Sequence, residues 1–379
     1  MKHIGRVLCL LVGMSFITGC WDAQNVEKIN YITSIGLDYE KPYYVVYAQL
    51  MEFSSIAKQE SPQGRGKALN WIGKGKGETL NLAMNDLYNT AQHRMVWSHV
   101  TAIIIGERAL KQWPGSYIDA LTRFREIRLT PWVFGTKQSV EEIMNAPAFF
   151  NLSPRETIAH APAANYKQHS WILPLQYMTF LGDYYEPART VLLPILSTNP
   201  DQWKKSGKPE AKLEWDGAFI MSGKKIKGSL KQDDLKGLRW VTGQTLRSPL
   251  KVQEKGKLLG VVSLEDPLIH IEVKNASMQP QYDLEISLQG NVVELFGNAQ
   301  EKELLAAAKK TIQNEIRFTY EKGLAIHADV LQLKYALYLQ HYKDWKKMSE
   351  EQLNLDKESL NDIEVQLQLL HSGMLKEKK

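Results

Sequence analysis

The chain is poor in cysteine, and this scarcity limits how it can be stabilised. Only two of its 379 residues are cysteines, Cys9 and Cys20, and both lie near the amino terminus. A disulfide framework is therefore excluded for the rest of the chain, which needs ordinary hydrophobic cores. An apolar content of 44% and a charged content of 23% are typical of such a folded globular protein.

The chain also lacks an apolar run of membrane-spanning length and an excess of one charge. The longest apolar stretch covers residues 7–17, whereas a spanning helix needs about 20 apolar residues. The formal net charge is only +5, and the basic residues are interspersed with acids. This mild balance does not favour nucleic acid as a partner, and none is predicted.

Motifs for catalysis, metals and cofactors are missing as well. The glycine-rich run Gly73–Gly77 precedes a predicted helix but lacks the Walker spacing, so it is interpreted as part of a flexible loop over residues 54–77. The pair His93 and His99, like the pair His160 and His169, lacks the three or four convergent ligands of a zinc site. We therefore predict no metal, no cofactor and no enzymatic activity. His99 is interpreted as a structural histidine before a buried strand, with a site role as the alternative.

What the amino terminus does contain is an export signal. Lys2 and Arg6 precede the apolar residues 7–17, and the small residues Thr18 and Gly19 then lead to Cys20. This order is typical of a secretion signal and resembles the lipobox of bacterial lipoproteins, where the cysteine is acylated and becomes the new amino terminus. We predict a signal peptide over residues 1–19 and lipidation of Cys20. A cleaved signal with an ordinary thiol, or an uncleaved anchor, is the alternative.

The remaining chain mixes strands and helices without a regular βαβ rhythm, which predicts an α+β fold. Helix 300–321 has an apolar face at Leu305, Ala308, Ile312, Ile316 and Tyr320, and Ser139 with Glu142 fits a capping box. The other helices are predicted at residues 78–94, 117–128, 175–185, 233–240 and 329–348. Strands are predicted at residues 30–38, 43–53, 101–105, 132–136, 190–197, 215–221, 226–230, 268–273, 282–288 and 363–369.

The predicted domain boundary follows from composition. Residues 199–210 carry two prolines, a glycine and several charges, which is typical of a linker. We therefore predict an N-terminal α+β region over residues 20–198, with two lobes near 20–137 and 138–198. A C-terminal α+β domain is predicted over residues 211–373, followed by a charged tail at 374–379.

The residues around Cys20 resemble the opening of a known family. The stretch TGCWDAQNVEKINYITSIGLD, residues 18–38, is similar to the start of the Ger(x)C family, the C-subunit lipoproteins of spore germination receptors. The positions that match are Cys20, Trp21, Asp22, Gly36 and Asp38. Trp21 and Asp22 are candidate partner contacts beside the membrane, with a plain linker as the alternative.

Three later blocks resemble the same family in the same order. They lie at residues 75–110, 216–243 and 327–345, and their matching positions are Trp97, His99, Gly106, Glu107, Gly217, Gly228, Leu230, Gly237, Trp240, Asp329 and Trp345. The chain departs from the family pattern at Glu78, where a basic residue is common, and at Gln332 and His341, where glycine and proline are common.

The resemblance implies a function. It implies an elongated lipoprotein of three α+β domains at the outer face of the spore inner membrane, held in the bilayer by Cys20. Its partners would be an A-type membrane subunit and a permease-like B subunit, which would be the main nutrient-binding subunit. The chain itself would act in assembly or signal transmission, without catalysis. A solute-binding lipoprotein of a transporter and a cell-wall enzyme are the alternatives.

Overall fold

The computed structural model describes residues 28–50, 69–112, 114–297 and 300–371. Its strands are β1 Ile29–Glu40, β2 Tyr43–Leu50, β3 Trp71–Gly77, β4 Arg94–Val96, β5 Ala102–Gly106, β6 Trp132–Thr136, β7 Leu175–Gln176, β8 Thr190–Asn199, β9 Lys204–Lys205, β10 Lys208–Pro209, β11 Lys212–Ser222, β12 Lys225–Lys231, β13 Ser248–Glu254, β14 Lys257–Lys274, β15 Gln281–Leu295 and β16 Leu360–His371. Its α-helices are α1 Leu80–Asp86, α2 Glu107–Gln112, α3 Pro114–Arg123, α4 Val140–Asn145, α5 Pro162–Gln168, α6 Tyr177–Tyr185, α7 Glu301–Ala325, α8 Leu333–Gln340 and α9 Tyr342–Trp345. Short 3₁₀ helices lie at Leu87–Asn89, Phe149–Asn151, Pro154–Glu156 and Gln232–Trp240.

The strands form a ten-stranded and a four-stranded sheet. The larger sheet has the order β12-β11-β8-β6-β5-β1-β2-β3, with β4 paired to β1 and β7 paired to β6. Strands β1, β4, β5, β6 and β8 run parallel to their neighbours within this group. The smaller sheet has the order β13-β14-β15-β16, and β9 pairs with β10 alone. Helices and mixed sheets together confirm the predicted α+β class.

The ten-stranded sheet is covered on both faces. In β1, residues 32–38 are buried without interruption, because alternate side chains enter two different cores. One core contains Ile35 and Leu37 with helices α1, α3 and α6, and the opposite core contains Tyr47 and Phe134 with helix α4. A strand buried on both faces therefore sits in the middle of this part of the protein.

The four-stranded sheet is covered on one face by the long helix α7. Alternate residues of β15 are buried, and they face the buried stripe of α7. That stripe consists of Leu304, Ala308, Ile312, Ile316 and Tyr320. The predicted stripe was wrong at its first position, since Leu304 and not Leu305 is the fully buried leucine. The alternating pattern is typical of a sheet with one face in solvent.

The predicted loop over residues 54–77 was wrong at its end, where Trp71–Gly77 forms edge strand β3. The glycines at alternate positions of this strand make room for helix α1. A Cβ atom on Gly75 would lie 2.2 Å from the backbone oxygen of Ala83, and a Cβ atom on Gly77 would lie 2.4 Å from the backbone nitrogen of Ala83. Glycine has no apolar side chain, so the alternation of Gly and Lys does not show the apolar pattern of a half-buried strand. The strand was therefore not predicted, although it packs tightly against a helix.

Two predicted helices differ in extent, and one predicted helix cap is not formed. The helix predicted over residues 78–94 ends at Asp86 and continues as one 3₁₀ turn. The helix predicted over residues 329–348 begins only at Leu333 and breaks at His341, which has an extended φ of −132°. The capping box at Ser139 is not formed, because its side chain accepts no capping hydrogen bond and Glu142 instead accepts one from the Thr198 hydroxyl at 2.9 Å.

The chain between residues 199 and 210 connects two neighbours in one sheet. Strand β8 ends at Asn199, and β11 pairs with it antiparallel from Lys212 onward. The intervening residues contain the short β9–β10 pair. Strands β11 and β12 thus complete the ten-stranded sheet although they follow the predicted linker, and the domain limits drawn from composition stay a prediction.

Candidate functional site

The site residues predicted from the sequence, Cys20, Trp21 and Asp22, lie outside the described residues. The description begins at Lys28, one residue before β1. Strands β1, β4, β5 and β6 run parallel, so their first residues lie on the same side of the ten-stranded sheet. We call this side the amino end of the sheet. The segment that carries Cys20 therefore joins the fold at this amino end.

His99, interpreted from the sequence as a structural histidine, is exposed. Its ring meets Tyr31 edge-on with ring centroids 4.8 Å apart, and its Nδ1 lies 3.2 Å from the Ser98 hydroxyl. In the parts of the chain that the structure describes, no group of three or more His, Cys, Asp or Glu residues could hold a metal ion. Nor does any described helix have the length and apolar character needed to cross a bilayer.

A buried polar network lies close to the amino end, and Gln49 is its centre. The Gln49 side-chain nitrogen donates to Asn70 Oδ1 at 2.9 Å and to the Met144 carbonyl at 2.8 Å. Its Oε1 accepts from the Ser34 hydroxyl at 2.9 Å. One amide therefore joins strands β1 and β2 to the end of helix α4, and its burial makes each of these bonds costly to lose.

His160 completes this network from a distant part of the chain. Its Nε2 donates to Gln49 Oε1 at 3.2 Å, since both amide hydrogens of Gln49 are already used. Its Nδ1 lies 2.7 Å from the Thr101 hydroxyl, the residue before β5. Burial, with the nearby Arg155 charge as a smaller cause, lowers the pKa of His160 to about 3. The imidazole is consequently neutral at physiological pH and acts as a fixed link between strands.

A second polar cluster lies where β1 and β5 end. Arg108 Nε and Nη2 both donate to the Asp38 carboxylate, and this hydrogen bonding to Asp38 raises the pKa of Arg108. The Tyr117 hydroxyl donates to the Asp38 carbonyl at 3.0 Å. A Cβ on Gly106 would lie 2.8 Å from Asp38 Oδ1, so glycine leaves the space this carboxylate occupies.

We call the part of the chain that contains the four-stranded sheet and helices α7 to α9 the C-terminal half. It is joined to the ten-stranded sheet by a pair of side-chain hydrogen bonds, which we call the clamp. The Gln332 side chain donates to the Thr190 carbonyl at 2.6 Å and accepts from the Thr190 amide at 3.0 Å. Thr190 is the first residue of β8. Gln332 also has a φ of +63°, a region in which glycine is more usual. The double hydrogen bond opposes that backbone cost and gives a physical reason for glutamine at this position.

A cleft of about 250 Å³ lies beside this clamp. Trp171, Leu192 and Val330 form part of its apolar wall, and Arg189 and Thr190 are among its polar residues. The Thr190 hydroxyl is buried and has no hydrogen-bond partner in the described structure. The cleft thus marks the junction of the two halves, where packing is less complete than in either core.

A buried ion pair holds helix α7 to the 3₁₀ helix Gln232–Trp240. Arg239 Nη2 donates to both carboxylate oxygens of Glu315, at 2.9 and 3.1 Å, and Trp240 Nε1 donates to the same carboxylate at 2.6 Å. The guanidinium also lies 4.3 Å from the ring centroid of Trp171. Burial lowers the pKa of Arg239, and the Glu315 charge opposes this shift. Such a pair fixes geometry, and loss of one partner leaves an uncompensated charge.

Several positions that carry the family resemblance form close packing contacts. A Cβ on Gly36 would lie 2.3 Å from Val140 Cγ1, and one on Gly237 would lie 2.4 Å from the Glu315 carbonyl oxygen. Trp97 is fully buried, with its indole nitrogen donating to Tyr88 at 3.1 Å. These residues shape the cores. The sequence did not predict the structural roles of Gln49, His160, Gln332 and Glu315. The position of Glu315 next to Ile316, beside the apolar face of helix 300–321, was the available sequence signal, although it does not identify Arg239 as the partner.

Two family models together match most of the chain. The model described as "Spore germination protein N-terminal domain" matches residues 22–198. The model described as "Spore germination B3/ GerAC like, C-terminal" matches residues 216–373. The interval between the two matches contains the predicted linker and the first residues of β11.

Individual relatives agree with the two models. "Putative spore germination protein YfkR" of Bacillus subtilis (strain 168) is 22% identical over 340 residues, covering 86% of each chain. "Spore germination protein B3" of the same organism is 20% identical and covers 92% of each chain. The crystal structure of the GerBC protein matches with a TM-score of 0.53 at 14% identity, covering 89% of this chain and 96% of that one. At this identity, the structural likeness shows the fold alone.

Proposed function

Because the chain belongs to the GerAC family of spore germination proteins, we propose that it is the lipid-anchored C subunit of a nutrient receptor. In this proposal it is held at the outer face of the spore inner membrane by the acylated Cys20. An A-type membrane subunit and a permease-like B subunit are its partners. The chain has no catalytic step of its own and acts in assembly or in transmission of the nutrient signal.

The position of the family match carries this proposal. The first family model begins at residue 22, two residues after the predicted acylation site at Cys20. Seven residues later, at Ile29, strand β1 of the ten-stranded sheet begins. Diacylated cysteine gives stable attachment because two acyl chains bury enough hydrocarbon, whereas one chain binds reversibly.

The contacts between the two halves support a mechanical role. The Gln332 clamp holds the start of β8, and the Arg239–Glu315 pair holds the segment around Trp171 to helix α7. A displacement of the ten-stranded sheet would therefore act directly on the C-terminal half. This arrangement suits a subunit that transmits a conformational change between partners that it contacts at separate surfaces.

Substitution of the acylated cysteine tests the anchoring part of the proposal. In Cys20→Ala spores we expect the protein to leave the inner-membrane fraction and the response to the cognate nutrient to be lost, with dormancy intact. Cys9→Ala is the matched control, since Cys9 lies within the predicted signal peptide. A Cys20→Ala protein that is released from the membrane while germination stays normal would contradict the proposal.

A further inference from the structure

Basic and apolar side chains gather at the amino end of the ten-stranded sheet. Together they form what we call the anchor-side patch, which consists of Lys28, Arg94, Arg125, Arg128, Leu129 and Met178, all exposed. Arg94 pairs in register with Ile29 at the start of β1, and Arg125 and Arg128 lie in the segment before β6. Met178 donates its backbone N–H to the Leu129 carbonyl at 2.9 Å, which places these two residues next to each other.

We propose that the anchor-side patch rests on an anionic lipid surface, so that the strands of the ten-stranded sheet rise away from the membrane. This proposal rests on the lipid anchor at Cys20. It adds to that anchor an orientation and a second, electrostatic contact. The ligand is the phosphate-bearing headgroup layer of the bilayer in which the acyl chains are buried.

The length of the tether limits the possible orientations. Lys28 is eight residues beyond Cys20, and eight fully extended residue steps span at most about 28 Å. Strand β1 has 12 residues and is roughly 40 Å long. If the opposite end of β1 touched the membrane, Lys28 would stand farther from the bilayer than the tether reaches. The inverted orientation is therefore excluded, and the amino end stays near the lipid.

Exposed basic residues lie at both ends of these strands, with Lys41 and Lys137 at the opposite end and the acid Glu126 beside the patch, but the two ends differ in how their charges are paired. In the described parts of the chain, no carboxylate lies within ion-pair distance of Arg94, Arg125 or Arg128. At the opposite end, Glu40 is paired with Lys74 and Lys76, and Glu107 is paired with Lys111. Basic residues without an acidic partner are attracted to an anionic lipid surface more strongly than basic residues in ion pairs. Salt screens this attraction.

Exposed apolar groups at the same end fit a headgroup layer. Leu129 is 43% exposed and Met178 is 60% exposed. Trp71 is 62% exposed at the start of β3, in register with Leu50, which pairs with Ile32 near the start of β1. Basic residues beside exposed leucine, methionine and tryptophan are the combination that binds at the boundary between headgroups and acyl chains.

Single-cysteine labelling of the full lipidated protein tests the orientation. Cys20 is the only cysteine outside the predicted signal, and its thiol would be blocked by lipid. Thr130→Cys places a fluorophore beside the patch, and Glu78→Cys places one after β3 at the opposite end. Vesicles of phosphatidylcholine with phosphatidylglycerol carry a headgroup quencher, and vesicles of phosphatidylcholine alone serve for comparison.

We expect the label at residue 130 to be quenched at least about twofold more than the label at residue 78 on anionic vesicles. Arg125→Glu with Arg128→Glu is expected to abolish this difference, as is high salt. Lys41→Glu with Lys137→Glu is the matched control, since it reverses two exposed basic residues at the opposite end and should leave the difference intact.

Two results would overturn the proposal, and they are distinguishable. If the protein floats with the vesicles but both labels are quenched equally, or Arg125→Glu with Arg128→Glu changes nothing, the orientation is wrong and the anchor stands. If the parent protein does not float and Cys20 reacts with the label, the anchor itself is absent and both proposals fall.

Discussion

The two sheets of this protein bury charge in different ways. In the ten-stranded sheet, Asp38 is 6% exposed while its partner Arg108 is 61% exposed, so the pair keeps one member in solvent. In the C-terminal half, Arg239 and Glu315 are 4% and 12% exposed, so both members are withdrawn from water. The hydrogen bond to Asp38 raises the pKa of Arg108, whereas burial lowers that of Arg239.

This difference follows from how each sheet is covered. The ten-stranded sheet has cores on both faces, and Asp38 lies where β1 ends near solvent. The four-stranded sheet has one core, beneath α7, and its ion pair lies inside that layer between α7 and a 3₁₀ helix. A buried pair orders the elements around it, and we infer that the C-terminal half depends on one such pair more than the larger sheet does.

The largest predicted effect concerns that buried pair. Glu315→Ala is expected to lower the free energy of unfolding by about 3–5 kcal/mol, because Arg239 would stay buried without a counter-charge. Asp38→Asn is expected to cost only about 1–2 kcal/mol, since the partner left behind, Arg108, is 61% exposed and stays hydrated. Denaturant unfolding of the two variants measures both values, and equal costs would contradict the comparison.

Close helix packing should be comparably strict in both halves. Gly75→Ala and Gly237→Ala would each place a Cβ within 2.4 Å of a backbone oxygen, and we expect each to cost about 1–3 kcal/mol or more. Gly182→Ala is the matched control. It lies in helix α6 with no atom within 4 Å of the new Cβ, and it should stabilise by about 0.5–1 kcal/mol. A tolerated Gly75→Ala would mean that α1 does not pack on β3 as described.

The clamp between the halves should contribute a smaller amount. Gln332→Ala loses two hydrogen bonds to Thr190 yet keeps a Cβ at positive φ, so a cost of about 1–3 kcal/mol is expected. Gln332→Gly loses the same bonds but relieves the backbone cost, so it should be less damaging by about 1 kcal/mol. Thermal unfolding of both variants checks the order, and the reverse order would show that the backbone at residue 332 is unstrained.

The smallest effect is a dependence on pH within the ten-stranded sheet. The pKa of His160 is about 3 when folded, against 6.5 for an unperturbed histidine. Between these values only the unfolded state binds the proton, so the stability from neutral His160 is complete above pH 6.5 and declines as the pH falls toward 3.

We expect the wild type to lose about 1 kcal/mol per pH unit relative to His160→Asn between pH 6 and pH 4. The comparison with His160→Asn is needed because burial raises the pKa of Asp329, whose contribution to stability changes in the opposite direction with pH. Parallel curves for the two proteins would show that His160 is not held neutral by the fold.

The fold class and most elements could be predicted from the sequence, for physical reasons that also explain the failures. The apolar run in β1 and the 3.6-residue period of α7 are local signals, and both elements formed. Strand β3 was not predicted, because the reason for its glycines is the close packing of helix α1, which the local sequence does not show. His160 could not be recognised, since its partners Gln49 and Thr101 are far from it in sequence.

The central claim is that this chain works as a subunit of a germination receptor, and co-purification tests it most directly. A tagged protein would be isolated from detergent-solubilised spore inner membranes, with Cys20→Ala as the unanchored control. We predict that an A-type subunit and a permease-like B subunit elute with the wild type and are lost with the control. Elution with the core of a transporter, and without either receptor subunit, would contradict the account.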